Sequence, residues 1–202
     1  MLDRFITPLI RPAVVTIAAG LARRGVSADH VTFAAFGIGV VAMLFIALDA
    51  YLAGAVLILL SRLCDAIDGA VARQTEATDS GGFLDISLDF LFYAGIVLAF
   101  AIAAPKANAL PAAVLLTSFI GTTSSFLAFA ALAAKRGIQS MEYPDKSFYF
   151  LGGLAEATET LLFFMAMCIW PHYFAPLAYG FAFICAITTF TRIVGGYQTL
   201  KH

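Results

Sequence analysis

The chain is 202 residues long, 61% hydrophobic and only 12% charged, with a formal net charge of −1 and a mean hydropathy of +0.91. A soluble domain carries about 25% charged residues, so this composition leaves too little polar surface to cover a water-soluble globule. The absence of a basic cluster excludes nucleic acid as a partner, and three cysteines (Cys64, Cys168, Cys185) in apolar stretches, without a CxxC pair, exclude a disulfide framework. The expected class is an all-α integral membrane protein with membrane lipids around it. No cleavable leader is expected, because the N-terminal charges are spread along the stretch and no small-residue cleavage site follows them.

Residues 2–24 mix apolar groups with Arg4, Arg11, Arg23 and Arg24, the pattern of an amphipathic helix lying in the membrane interface. Ser27 is placed to cap the next element. Val31 to Leu48 carries no charge and predicts the first spanning helix, closed by Asp49. Tyr51 to about Gln74 predicts the second, with Arg62, Asp65, Asp68 and Arg73 in its last third. A polar loop at Thr75–Ser80 precedes a third helix from Gly82 to Ala104, and Pro105-Lys106 reads as a turn. Asn108 to Lys135, rich in Ala, Ser and Thr, suits close helix packing in lipid. Arg136 to Asp145 is a polar connection, Phe148 to Trp170 the fifth helix, and Tyr173 to about Val194 the sixth. No repeat or linker divides the chain. The expectation is a single domain over 1–202, with an interfacial segment over 1–26 and a six-helix bundle over 31–197.

Six crossings put Arg4, Arg11, Arg23, Arg24, Arg73, Lys135, Arg136, Lys146, Arg192 and Lys201 on one side, against Lys106 on the other. The Lys/Arg excess makes that side cytoplasmic, with both termini and the acidic helix ends facing it. Localisation in the inner (cytoplasmic) membrane follows.

Each isolated carboxylate at membrane depth costs a few kcal/mol, yet four stand at the cytoplasmic ends of two consecutive helices. Asp65 and Asp68 are i, i+3 and share a face; Asp85 and Asp89 are i, i+4 and do the same. A short loop makes the two helices antiparallel neighbours, so the four groups converge. Their mutual repulsion calls for cations between them. All-oxygen ligation favours Mg²⁺ or Mn²⁺, and two such ions can clamp a diphosphate during in-line displacement. Gly69 and Gly81 or Gly82 let a ligand approach the backbone, Ala72 keeps the same face open, and the Arg73 fork suits phosphate oxygens. The bland alternative, helix caps or interfacial pairs with Arg62 and Arg73, accounts for one aspartate far better than for four.

The run Asp65-Cys-Ala-Asp68-Gly69-Ala-Val-Ala72-Arg73, followed by Gly81-Gly-Phe-Leu-Asp85-Ile-Ser-Leu-Asp89, resembles the signature of the CDP-alcohol phosphotransferases, D-x-x-D-G-x-x-A-R … G-x-x-x-D-x-x-x-D. Seven residues separate Arg73 from Gly81 where the family pattern has eight. The resemblance implies that Asp65, Asp68 and Asp85 bind metal. It makes Asp89 both a ligand of the second ion and the base that deprotonates the acceptor alcohol. It implies that Gly69 and Arg73 contact the CDP group, with Thr78 from the loop. Ser27-Ala28-Asp29-His30-Val31-Thr32 is similar to the family's T-P-N-x-V-T entry, which lines the CDP pocket. There Asp29 reads equally as a donor contact or a first-turn acid, and His30 as a solvated side chain. A homodimer is also implied.

Glu156 and Glu159, placed one turn into the fifth helix, read either as acceptor-pocket residues or as structural partners of Arg192 or Lys146. With Lys135 and Arg192 they form the candidate acceptor site. Carboxylates suit hydroxyl or ammonium groups better than a phosphate dianion, which favours a non-phosphorylated acceptor. The expected activity is CMP-releasing transfer in phospholipid synthesis. The donor is expected to be CDP-diacylglycerol, whose acyl chains can lie in the bilayer beside an interfacial pocket. A cation transporter or channel would also use clustered carboxylates, but Tyr51–Leu60 and Ile96–Ala104 are almost wholly apolar. A scaffold with a structural metal leaves Arg73 and the glycines unexplained.

Overall fold

The computed structural model describes residues 3–136 and 153–201, where the chain forms seven α-helices and one 3₁₀ turn. Helix α1 (Asp3–Arg23) ends at Gly25, whose φ of +76° suits a residue without a Cβ. There the Val26 N–H donates to the Leu21 carbonyl at 3.2 Å, which closes the helix and turns the chain. Helix α2 (Ala28–Ala47) starts as expected at Ser27, whose Oγ accepts the His30 N–H at 3.4 Å. Asp49, at φ 62°, makes the tight turn into α3 (Tyr51–Ala72), and its carboxylate accepts the Tyr51 hydroxyl at 2.7 Å.

Three expected boundaries shift. Helix α4 (Asp79–Ala103) begins before Gly82, because Thr78 is its N-cap and accepts the Gly81 N–H at 3.1 Å. Pro105 is the first residue of α5 (Pro105–Lys135) and not a turn, since the N–H it lacks is one a helix start leaves unpaired. Among the described residues of the expected fifth helix, Gly153–Glu156 is not helical, and α6 spans Ala157–Ile169 with Glu156 at its N-cap position. Glu156 therefore precedes the helix, and only Glu159 lies in its first turn. The expected start at Phe148, most of the connection Arg136–Asp145 and Lys146 lie outside the described residues. A 3₁₀ turn (Pro171–Tyr173) leads into α7 (Phe174–Leu200), which starts beside the expected Tyr173 and runs past the expected end at Val194.

Two cores organise these helices. The larger joins α2 to α7 around Ile46, Ile58, Phe92, Ile96, Phe100, Leu115, Phe164, Phe174 and Phe181, all fully buried. The smaller clamps α1 under the starts of α2 and the end of α3 through Val14, Ala18, Val31, Ile67, Ala70 and Val71. Outward, Leu44, Leu52, Val56, Leu98, Ile102, Leu110, Phe183 and Phe190 are each more than half exposed. That much outward apolar surface is foreign to a soluble monomer. Helices α2, α4, α5 and α7 with its preceding turn are long and apolar enough to cross a bilayer. Helix α3 has the length, but Arg62, Asp65 and Asp68 lower its apolar character; α6 has 13 residues. The chain is a multi-pass membrane protein.

Glycine sets how closely α2 approaches α4. A Cβ at Gly39 would sit 2.5 Å from the Phe92 ring and 3.3 Å from Ser61 Oγ, whereas one at Gly37 would meet nothing within 4 Å. Gly39→Ala is expected to destabilise the fold by about 1–3 kcal/mol through overpacking, and Gly37→Ala to stay within about 0.5 kcal/mol of the parent protein. Thermal unfolding in detergent of the two variants side by side checks this; equal midpoints would refute the wedge.

Candidate active site

Helix spacing does what it predicts at the junction of α3 and α4. Asp65 and Asp68, one turn apart on α3, meet Asp85 from α4, and one carboxylate oxygen of each lies within 4.8 Å of the others. Asp68 is buried, at 4% exposure, and its Oδ2 has no hydrogen-bond partner among the described residues. A buried acceptor left unpaired is costly, and a divalent cation satisfies it. Octahedral Mg²⁺ holds its ligand oxygens about 2.1 Å from the ion, hence about 3–4 Å from each other. At no more than 4.8 Å apart, the three oxygens stand close to that spacing. The all-oxygen donor set therefore fits a hard divalent ion.

Asp89 stands one turn further along α4 and outside this triad. Its Oδ1 accepts a hydrogen bond from Nη1 of Arg62, and the same nitrogen lies 3.4 Å from Asp65. The bland pairing weighed for Arg62 is thus partly realised, but it engages Asp65 and Asp89 and leaves Asp68 and Asp85 aside. Arg62 is itself held from three directions. Its guanidinium lies 3.9 Å over the Phe92 ring and 5.6 Å from that of Tyr93, and Nη2 donates to Ser61 Oγ at 3.4 Å. Ser61 in turn donates to the Ala35 carbonyl at 2.8 Å.

Two cavities approach this cluster. The first, of about 520 Å³, runs between the α1–α2 turn, the end of α3 and the start of α4. It is lined by Asp68 and Asp85 together with every residue expected to bind the donor: Asp29, Gly69, Ala72, Arg73, Thr78 and Gly81. A Cβ at Gly69 would lie 3.3 Å from Nη1 of Arg73, so the guanidinium folds back over that glycine. A Cβ at Gly81 would lie 3.1 Å from both Asp29 Oδ1 and Thr78 Oγ1, which places the starts of α2 and α4 face to face. His30 is exposed, with its Nδ1 2.8 Å from the Ser27 hydroxyl. Thr32, also in the lining, is buried one turn beyond Ala28, to whose carbonyl it donates at 3.1 Å. Sequence reasoning passed over it, although it occupies the last position of the entry motif.

The second cavity, of about 820 Å³, lies further along α4, with Asp89 and Tyr93 in its wall. Apolar residues from α4 and α5 make up much of it (Ile86, Phe90, Phe119, Ile120, Phe126, Leu127), crossed by a polar strip of Thr122, Thr123, Ser124, Glu156, Thr160 and Arg192. Arg192 Nη1 donates to the Thr122 carbonyl at 3.2 Å and its guanidinium lies 5.6 Å from the Phe126 ring, which ties α7 to α5 across the chamber. Of the four residues expected at the acceptor, Glu156 and Arg192 line this chamber. Glu159 and Lys135 do not, and Lys135 is exposed at the end of α5. The hydroxyl strip on α5 was read from sequence only as packing surface, because Thr and Ser serve that purpose in most membrane helices.

Comparison with known proteins matches this architecture. Over 201 residues, all of this chain and 98% of the other, it is 54% identical to "Inner membrane protein YnjF" of Escherichia coli (strain K12). It is 38% identical over 92 residues, 45% of each chain, to the archaetidylinositol phosphate synthase of Methanothermobacter thermautotrophicus. The crystal structure of the Mycobacterium tuberculosis phosphatidylinositol phosphate synthase PgsA1 with CDP-DAG bound superposes with a TM-score of 0.67. That match covers 91% of this chain and 93% of the other at 21% identity, a likeness of fold. Residues 26–192 match the profile of the CDP-alcohol phosphatidyltransferases, and the chain belongs to that family of membrane transferases.

Proposed function

We propose that the protein transfers a phosphatidyl group from CDP-diacylglycerol to an alcohol, releasing CMP, at the cytoplasmic face of the inner membrane. In this reading six helices, α2 to α7, span the bilayer, α1 lies in the interface, and the working unit is the homodimer implied by family resemblance. The observation that carries the reading is the position of two cavities against one turn of α4. Asp85 lines the smaller and Asp89 the larger, so a donor and an acceptor can meet across a single helix face.

The donor's diphosphate fits the smaller cavity, with its phosphates beside Asp68 and Asp85 and the Arg73 fork over Gly69. Asp29, Thr78 and Gly81 bound the same space, and Ala72 leaves room for the nucleotide. Two divalent ions, Mg²⁺ or Mn²⁺, held by Asp65, Asp68 and Asp85 with Asp89 as a further ligand of the second ion, would neutralise the diphosphate and the charge developing on it. Asp89, at the wall of the larger chamber, takes the proton from the acceptor hydroxyl as its oxygen attacks the phosphorus that bears diacylglycerol. The P–O bond to the bridging oxygen breaks, and CMP leaves with that oxygen. The chamber presents hydroxyls and the carboxylates of Asp89 and Glu156 alongside Arg192, which supports a non-phosphorylated alcohol as acceptor. An ion path is not favoured: beyond the aspartates, Ile58, Ile96, Val97 and Phe100 sit fully buried in the apolar core shared by the described helices.

Purified protein with CDP-diacylglycerol and a panel of free and phosphorylated alcohols is expected to release CMP with at least one unphosphorylated member. Chelator should abolish that release and Mg²⁺ or Mn²⁺ restore it. Turnover undiminished in metal-free buffer would contradict the assignment, and turnover with phosphorylated alcohols only would reverse the acceptor class.

The two glutamates should separate. Glu156→Gln, in the chamber wall, is expected to raise the acceptor KM by about tenfold, as loss of a hydrogen bond from a charged group does, with little change in donor KM. Glu159→Gln should leave the acceptor KM near that of the parent. Steady-state kinetics with each substrate varied in turn checks this, and equal effects would remove Glu156 from the acceptor site.

A further inference from the structure

Arg62 belongs to no motif that defines the family's site, yet it is the best-buried cation near the carboxylates, its side chain only 12% exposed. A flexible arginine at a membrane interface would swing to water. This one cannot do so cheaply. Phe92 lies flat beneath its guanidinium at 3.9 Å, and that ring is itself fully buried and wedged against Gly39. Ser61, also fully buried, takes Nη2 from the side. A cation stacked on a ring and shielded from water is held more firmly than an exposed one. What it points at is the gap between Asp65 and Asp89, the carboxylate that would complete a second ion's ligands.

We propose that Arg62 is a resident cation of the carboxylate cluster. It engages Asp89 and abuts Asp65, leaves Asp65, Asp68 and Asp85 to hold a first ion, and makes the site that needs Asp89 much the weaker of two. The inference rests on the metal-binding reading above and adds a division of labour to it. A fixed positive charge beside the second position repels a divalent ion there and occupies the Asp89 oxygen that ion would use. The first position is formed by Asp65, Asp68 and Asp85, none of which Arg62 hydrogen-bonds. The device keeps Asp89 oriented towards the acceptor chamber, and it lets a phosphate-bearing donor, which brings its own negative oxygens, recruit the second ion.

Mn²⁺ binding followed by electron paramagnetic resonance on detergent-solubilised protein tests this without reference to turnover. The parent protein is expected to show two classes of site whose dissociation constants differ tenfold or more. Arg62→Gln should tighten the weaker class at least tenfold and shift the stronger by less than threefold. Arg62→Lys, which keeps the charge, should stay near the parent. Circular dichroism and gel filtration report whether the variants fold. If Arg62→Gln does not, Phe92→Leu, which removes the ring that fixes the guanidinium and keeps the charge, should tighten the weaker class in the same direction. Two sites in the parent with the weaker class unmoved, or loosened, in these variants would overturn the proposal and leave the proposed function standing. Binding of no Mn²⁺ to any of the proteins would overturn both.

Discussion

Carboxylates repel one another, and they repel most where water is scarce. The arrangement at the end of α3 and α4 gathers four of them in a membrane protein, three with oxygens inside 4.8 Å. Such a cluster persists only if positive charge is built in or recruited. Both solutions are visible in the residues. Arg62, fixed on Phe92, answers Asp89 and one edge of Asp65. Asp68, buried with an unpaired oxygen, is left for an ion. The rest of the structure serves this division by keeping the two helices at a fixed distance and offset.

Close packing supplies that fixity. Gly39 lets Phe92 press against α2, and Ser61 bonds to the backbone of α2 at Ala35, so α2, α3 and α4 lock together one turn from the aspartates. Below them α1 packs through Val14 and Ala18 against Ile67, Ala70 and Val71, beside the smaller cavity. Gln74 adds a tie by donating to the Val15 carbonyl at 3.2 Å. Small residues and short polar links do this work because apolar side chains gain little from meeting one another when lipid is the alternative. The result is a rigid frame for the motif, with two cavities meeting α4 one turn apart.

Local signals carried most of what was readable from the sequence. Aspartate spacing of three and four residues fixes which side chains share a helix face, so the triad and its neighbour Asp89 were legible, as was the Ser27 cap. The residues that line the smaller cavity were gathered by the same short run and its resemblance. Signals that compete were misread: Asp79 and Ser80 looked like loop, yet Thr78 caps the helix ahead of them, and Pro105 looked like a turn, yet it is a helix start. Glu156 fell on the wrong side of a helix boundary because an apolar run continues through it. Non-local relations were not legible at all. Arg62 reads as an ordinary interfacial arginine until Phe92 and Asp89, far along the chain, are seen around it, and the hydroxyls of α5 read as packing until Arg192 and Glu156 face them.

The central claim is that one turn of α4 separates two duties, with Asp85 serving the metal–donor core and Asp89 the acceptor proton. Donor binding and single-turnover CMP release, measured at saturating Mg²⁺ on Asp89→Asn and Asp65→Asn, address it directly. Loss of a general base lowers a rate by about 10²–10⁴-fold, so Asp89→Asn should lose turnover on that scale while donor affinity changes little. Asp65→Asn, which removes a ligand of the core, should lose both. If Asp89→Asn forfeits donor binding as severely as Asp65→Asn, Asp89 is a metal ligand first, and the proton must leave by another group.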